Sequence, residues 1–405
     1  MTGKRVRRGL ALILVVVALL AVALFDSAPR IPESTPDAEA AQSARALFDR
    51  LRKAGPGFQP VSASAGEVSA AAMLAARAGH LARSRTQLTD GEIVTELSLP
   101  APFGLWLNAT GRISADTDGT PSISGRVGSL PVPPWLAKAG MWVARRWLSS
   151  DGRPVPDPGT LVRNLKIESH LVTAKISLPP GSDLAALAPA RMVPVDGARV
   201  AKAYCRLASA QRERPTERLS ILLNRGFASG DRGVEDNRAT LVAVAMIAVS
   251  PEVARLAGPG VSAASRCGSA GTASTLNGRS DLAKHWALSA ALSAAFGPDA
   301  SGIAGLWKEL ADSGEGGSGF SYVDLAADRS GTLVGDRASS EGANLKTAEW
   351  LAEVGDAQLL PVTQLALAEG MSEADFTRRY GSIDGGRHKR TVASIDRTLL
   401  KALLR

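Results

Sequence analysis

Apolar residues recur in this chain with two different periods, and the changes between them mark out its elements. Gly9 to Phe25 is a continuous uncharged run of 17 residues. Beyond a Pro- and Ser-rich linker, helical spacing begins: Ala41, Ala44, Leu47 and Leu51 share one face of a helix over Asp37 to Lys53, and a Gly-Pro-Gly break at Gly55 closes it. Ser64 to Arg85 reads as a second helix. From Thr86 the period falls to two. Ile93, Thr95, Leu97 and Leu99 alternate, Leu105 to Ile113 does likewise, and Ser122 to Val127 follows an Asp-Gly turn, so an antiparallel meander is expected. A helix over Trp135 to Leu148 and a strand pair, Val162 to Glu168 with Val172 to Leu178, complete this part.

The remainder is helical. Asp196 to Glu213, Thr216 to Arg225 and Glu235 to Val249 are predicted helices, the last too short to span a bilayer and therefore buried. Leu256 to Asn277 reads as a surface loop. Three helices lie within Asp281 to Gly335, followed by Asn344 to Val354, Leu359 to Glu369 and Ser372 to Tyr380. Arg387 to Arg405 is basic and amphipathic, with Val392, Ile395, Leu399, Leu400 and Leu403 expected to dock on the core and peripheral membrane contact as the alternative. The expected class is α+β: a small antiparallel β-sheet domain with a covering helix, then an all-α domain. The predicted boundaries are 1–27 for a membrane anchor or signal, 28–85 for linker and helices, 86–185 for the β-rich domain and 190–405 for the helical domain.

Charge sharpens the reading of the first segment. Lys4, Arg5, Arg7 and Arg8 precede the apolar run, so the positive-inside rule leaves the amino terminus in the cytoplasm and exports the rest. The run sits at the short edge of the spanning range, and Ala21-Val22-Ala23 is a weak cleavage context. An uncleaved single-pass anchor in a bacterial inner membrane, with the bulk of the chain in the periplasm, is expected over a removed signal. The net charge of +8 is spread along the 405 residues without an interleaved basic and aromatic stripe, which argues against nucleic acid; free use of Arg by a GC-rich bacterial genome accounts for it, with attraction to an anionic membrane surface as the functional alternative. Only Cys205 and Cys267 are present; in an oxidising compartment they are candidates for a disulfide, with two buried thiols as the alternative.

The order of a strand, Pro102-Phe103-Gly104, a strand, Gly128 to Pro133 opening a helix, and a final strand pair resembles the exported domain of YpmS-like bacterial membrane proteins over residues 85 to 180. That resemblance implies a domain behind a single membrane helix and a lipid-carrier role. The helix after it carries Trp135, Met141, Trp142 and Trp147 among Lys138, Arg145 and Arg146. Such a helix ordinarily lies across a sheet as core; with Trp135 and Trp142 as lipid-gripping residues, it would suit a membrane surface instead.

Asp281 to Gly335 holds the candidate chemistry. His285 lies in a small-residue helix, Lys308-Glu309 and Asp312 end the next, and Phe320-Ser321-x-x-Asp324-Leu325-x-x-Asp328-x-x-Gly331-x-x-x-Gly335 follows a Gly/Ser loop. This order is similar to YfiM-like envelope proteins and, more distantly, to VanZ-like membrane proteins. In VanZ-like proteins the pattern lies on spanning helices, whereas Ala287 to Phe296 and Ile303 to Leu310 are too short to span, and the usual Gln after the Glu is replaced here by Ala311-Asp312. The resemblance implies an envelope location and cell-wall physiology, with no settled reaction to carry over.

Three physical readings of these residues remain open. In the first, Gly331 and Gly335 let two helices approach, Ser321 caps the third helix, and Asp324, three residues on, completes a capping box. In the second, His285, Glu309, Asp312 and Asp328 form a hydrolytic or metal site, since Glu-x-x-Asp sets two carboxylates a turn apart and a neighbouring helix supplies the histidine. In the third, Lys308, Ser321 and Asp324 belong to a docking surface for lipid, cell-wall polymer or a membrane partner. A Cys2His2 site is excluded by spacing, and no P-loop or nucleophile elbow occurs. Gly314 to Gly319 lies between helices and reads as a flexible connection, or a lid. The sequence therefore predicts a noncatalytic, membrane-anchored factor in envelope maintenance, with an envelope hydrolase as the alternative.

Overall fold

A computed structural model describes residues 23–32, 35–53, 57–78, 83–148, 158–177, 195–228, 232–258, 260–271 and 274–403. They form two compact units, 1–36 with 43–179 and 37–42 with 180–405. Among the described residues no helix is long and apolar enough to cross a membrane. The anchor predicted from Gly9 lies outside them up to Val22.

The first unit is built on two antiparallel sheets. Strands β1 (Phe25–Asp26), β2 (Gln59–Ser64), β3 (Ser84–Thr89), β4 (Glu92–Pro100), β5 (Trp106–Ala115), β6 (Pro121–Val127), β7 (Leu130–Val132), β8 (Val162–Ile167) and β9 (Leu171–Ile176) are joined by helices α1 (Ala38–Lys53), α2 (Ala65–Ala78), α3 (Pro134–Leu148) and the single turn α4 (Pro158–Leu161). The expected meander is the order β3-β4-β5-β6-β7, with β1 added to β5. The predicted strand pair belongs to a second sheet, β2-β9-β8. Its edge strand β2 is missed by the periodicity because Pro60 and three polar residues interrupt it; an edge tolerates the missing N–H of proline. The helix expected from Ser64 to Arg85 ends at Ala78, and Ser84 and Arg85 start β3.

A buried polar network fixes where the incoming chain meets the larger sheet. Ser98 Oγ donates to Asn108 Oδ1 at 2.6 Å, and Asn108 Nδ2 donates to Asp26 Oδ2 at 2.6 Å. The backbone N–H groups of Arg30 and Ile31 both donate to Ser98 Oγ at 3.1 Å. Phe25 pairs with Leu107, and the Ser129 N–H donates to the Ala23 carbonyl at 2.7 Å. Burying unpaired polar groups would cost free energy, so this network holds Ala23 to Ile31 in one register.

Among the described residues, ten helices follow in the second unit: α5 (Gly197–Glu213), α6 (Leu219–Phe227), α7 (Val234–Ala248), α8 (Ser280–Phe296), α9 (Pro298–Ser313), α10 (Tyr322–Ala338), α11 (Asn344–Leu351), α12 (Asp356–Leu359), α13 (Glu373–Tyr380) and α14 (Gly386–Leu403). The helix expected over Leu359 to Glu369 is instead α12 and a 3-10 turn at Val362–Ala366, because Pro361 cannot continue the first. Cys205 and Cys267 form a disulfide, as one alternative had it, with Cα atoms 5.2 Å apart across 62 residues. Chain-entropy arguments give such a closure about 4 kcal/mol. The stretch expected as a loop from Leu256 holds the 3-10 segment Val261–Cys267 that carries the second cysteine. On α14, Ile395 and Leu399 are buried, in keeping with docking on the core, Val392 and Leu403 are half-buried, and Leu400 is exposed.

The tightest packing joins α8 and α10. A Cβ on Gly331 would sit 2.1 Å from the Trp286 carbonyl oxygen, and one on Gly335 2.4 Å from that of Ala290. Both glycines are therefore required by approach of backbone to backbone. The same test leaves open space at Gly302 on α9. Gly331→Ala is expected to destabilise the helical unit by about 2 kcal/mol or more, and Gly302→Ala to stabilise it by roughly 0.5–1 kcal/mol, read by denaturant unfolding of the two variants.

Candidate functional site

Close approach of α8 and α10 brings their polar residues face to face. His285 precedes Trp286, Asp328 stands three residues before Gly331, and their side chains meet with His285 Nδ1 3.1 Å from Asp328 Oδ1. One turn on, the Ser289 hydroxyl donates to the same oxygen at 2.8 Å. One turn back along α10, Asp324 Oδ2 lies 3.5 Å from His285 Nε2. Helical spacing thus sets two residues of α8 against two of α10.

Helix α9 closes the third side. Gly305 faces Asp328, since a Cβ there would lie 2.8 Å from Asp328 Oδ2. Glu309, four residues on, is fully buried. Its Oε2 accepts the backbone N–H of Ser321 at 2.9 Å, and its Oε1 accepts from Lys308 Nζ at 3.0 Å. Lys308 Nζ also donates to Asp312 Oδ2 at 2.7 Å.

The predicted cap is present with a different partner. Ser321 Oγ accepts from the Asp324 N–H at 3.0 Å, as an N-cap should. The expected return bond from Asp324 to the Ser321 N–H is absent: that N–H goes to Glu309, leaving Asp324 to face His285 and, at 3.7 Å, Arg279. A capping box completed from another helix has no local sequence signal. Its effect is to seat Glu309 at the positive end of α10, where a carboxylate is favoured.

Burial dominates the electrostatics. It pushes Glu309 up to about 7, against the opposing pull of Lys308. It also raises Asp324, an effect only partly offset by His285 and Lys308. For His285 burial works downward, but the hydrogen bond and charge of Asp328 outweigh it and the imidazolium is favoured. Lys308 is likewise pulled down by burial and carried above its ordinary value by Glu309 and Asp312.

Of the four residues predicted as catalytic, His285, Glu309 and Asp328 converge: one ligand atom from each lies within 4.8 Å of the others. This set could hold a metal ion. Asp312 is linked to the trio through Lys308, which bonds both it and Glu309. Asp328 Oδ2 is buried and has no hydrogen-bond partner among the described residues; the same is true of Asp324 Oδ1. Ser289 and Gly305 were missed as site residues, although each lies four residues from a named one on its own helix. Gly314 to Gly319 forms a turn in which the Gly319 N–H donates to the Asp312 carbonyl at 2.6 Å.

In the β unit, Trp135 is 69% and Trp142 61% exposed, which overturns the expectation of a core helix burying them against the sheet. Phe103 is fully exposed with φ 63°, and Leu105, Leu130 and Leu136 are exposed as well.

Glu309 makes a testable contribution to stability. A carboxyl whose native pKa is above its unfolded value binds more protons when folded between about 4.5 and 7. Stability is therefore lost as pH rises through that window, and the raised His285 adds a loss of the same sign. Thermal unfolding of the wild type from pH 5 to 8 is expected to show this decline, and Glu309→Gln to flatten it by up to about 3 kcal/mol.

No protein family, curated protein or solved structure matches the chain.

Proposed function

We propose that this chain is a noncatalytic, membrane-anchored envelope protein whose β unit rests on lipid. The observation that carries the reading is the exposure of Trp135 and Trp142 on one face of α3, seven residues apart. Water-exposed tryptophans on a helix suit the interfacial zone of a bilayer, where the ring is apolar and the N–H is wet. The chain supports it further: Ala23 to Phe25, the last residues of the apolar run, and Asp26, which ends it, join the sheet at Trp106, Leu107 and Ser129, beside exposed Leu105 and Leu130. Exposed Arg126 and Lys138 in the same stretch, and the net charge of +8, favour an anionic surface. The polar centre of the helical unit is then an internal lock, with Glu309 fully buried and Asp328 5% exposed, out of reach of a lipid or polymer substrate.

A second reading, a metal-dependent envelope hydrolase, is favoured by one specific observation. Asp328 Oδ2 is a buried carboxylate oxygen without a donor among the described residues, in the same trio as His285 and Glu309. A divalent cation would satisfy it and keep a position open for water.

Two measurements separate these readings. In proteoliposomes of the full chain, lipids with brominated acyl chains are expected to quench a component of tryptophan emission that disappears in the Trp135→Phe/Trp142→Phe double variant. Equal quenching in wild type and variant would remove the lipid-resting face. Equilibrium dialysis against Zn²⁺ or Mn²⁺ tests the second reading, which requires about one bound ion per chain and at least tenfold weaker binding by Asp328→Asn; a chain that takes up no ion leaves it without its chemistry.

A further inference from the structure

A second charged feature of the helical unit lies apart from the carboxylate centre and has the opposite sign. A cavity of about 140 Å³ opens between α5, the end of α6 and the start of α7. Arg199, Lys202, Arg206 and Arg232 line it, with Asp236 as their one acidic neighbour in the wall. The first three recur at helical spacing on α5, so their charges are stacked on one face. Like charges so placed repel one another, and nothing in helix propensity asks for such a row.

The acid is already committed. Asp236 Oδ1 accepts from Arg199 Nη1 at 2.7 Å. Arg206 Nη2 donates to the Gly226 carbonyl at 3.1 Å, which holds the guanidinium in the wall, while its buried Nε–H has no acceptor among the described residues. Lys202 is exposed and has no ion pair or hydrogen bond among them. Arg232 approaches Glu349 only at 3.6 Å. Its backbone is left-handed, at φ 51°, and Asn344 Nδ2 donates to its carbonyl at 3.0 Å to keep it there. Helix α7 begins beside it at Gly233, with no side chain capping its first N–H groups.

Four basic side chains therefore line a space large enough for a small anion; Arg199 is shared between Asp196 and Asp236, which leaves Lys202 and Arg232 as the cations least neutralised there. A carboxylate offers two oxygens; a phosphoryl group offers three or more and a higher charge, which suits guanidinium and ammonium donors arriving from separate directions. We propose that this cavity binds a phosphoryl anion. A lipid headgroup and a free phosphate compound share that chemistry.

The test is calorimetric titration of pyrophosphate into the full chain held in phosphatidylcholine nanodiscs. Binding near one equivalent is expected. Lys202→Glu, at an exposed position that leaves the fold intact, should weaken it by about tenfold or more. Lys401→Glu on α14 makes the same change in net charge away from the cavity and should leave affinity within about twofold. Absence of binding by the wild type, or equal weakening by the two variants, overturns the proposal. Repeating the titration in nanodiscs containing phosphatidylglycerol identifies the source: apparent affinity that falls in the wild type but not in Lys202→Glu assigns a lipid headgroup, and unchanged affinity assigns a soluble phosphoryl compound.

Discussion

Backbone contact between α8 and α10 is the constraint from which the helical unit follows. With no side chain at Gly331 or Gly335, the carbonyls of Trp286 and Ala290 lie where a Cβ would be. Alanines 283, 287, 290, 291 and 294 of α8 are all buried, so its surface is smooth enough for neighbouring helices to close in. Aromatic residues make up only 4% of the chain, and a core poor in large side chains must reach native density by bringing helices together. Trp286, the largest side chain on α8, is fully buried and spends its indole N–H on Ser330 Oγ of α10 at 3.0 Å.

That approach has an electrostatic consequence. Helices this close bury most of His285, Asp324, Asp328 and Glu309, and the charged forms are stable only where donors reach them. Ser289, the Ser321 N–H and Lys308 meet part of this need. The remainder appears as the raised proton affinity of Glu309 and Asp324, in each case led by burial. A different solution operates at the far side of α10. There Tyr322 OH lies 2.8 Å from His388 Nδ1, and burial drives that histidine down to about 4, so a neutral imidazole and a neutral phenol share a hydrogen bond without buried charge. Two histidines of one unit thus take opposite protonation tendencies: burial and the Arg329 charge prevail over Asp384 at His388, whereas the directly bonded Asp328 prevails over burial at His285.

Much of this was legible from residue spacing. The mixed α+β class, the meander and most helices follow from the change of period, because local periodicity reflects which face is buried. Convergence of His285, Glu309 and Asp328 was legible as a possibility, since each lies on a helix of small residues and Gly331-x-x-x-Gly335 announces close packing. What spacing could not supply is which partner a group takes across space. The Ser321 N–H looked local and goes to Glu309, twelve residues away on another helix. Strand β2 carries too few apolar residues to declare itself and exists because β9 offers it an edge. The tryptophans of α3 have the spacing of a core stripe; only the fold reveals that Trp135 and Trp142 face outward.

The two charged features of the helical unit are also mechanically connected. Arg238 of α7 is buried, its Nε donating to the Ala294 carbonyl of α8 at 2.7 Å and its Nη1 to Glu235 at 2.8 Å. Asn237 beside it donates to the carbonyls of Ala338 and Asn344, at the end of α10 and the start of α11. The first turn of α7, which forms one wall of the basic cavity, is therefore clamped to the same two helices whose contact assembles the carboxylate centre. Each bond is made by a buried donor that would be costly to leave unpaired, so α7 cannot shift without disturbing α8 or α10. The basic cavity and the carboxylate centre thus share a frame, in which Arg238 reaches α8 and Asn237 reaches the end of α10.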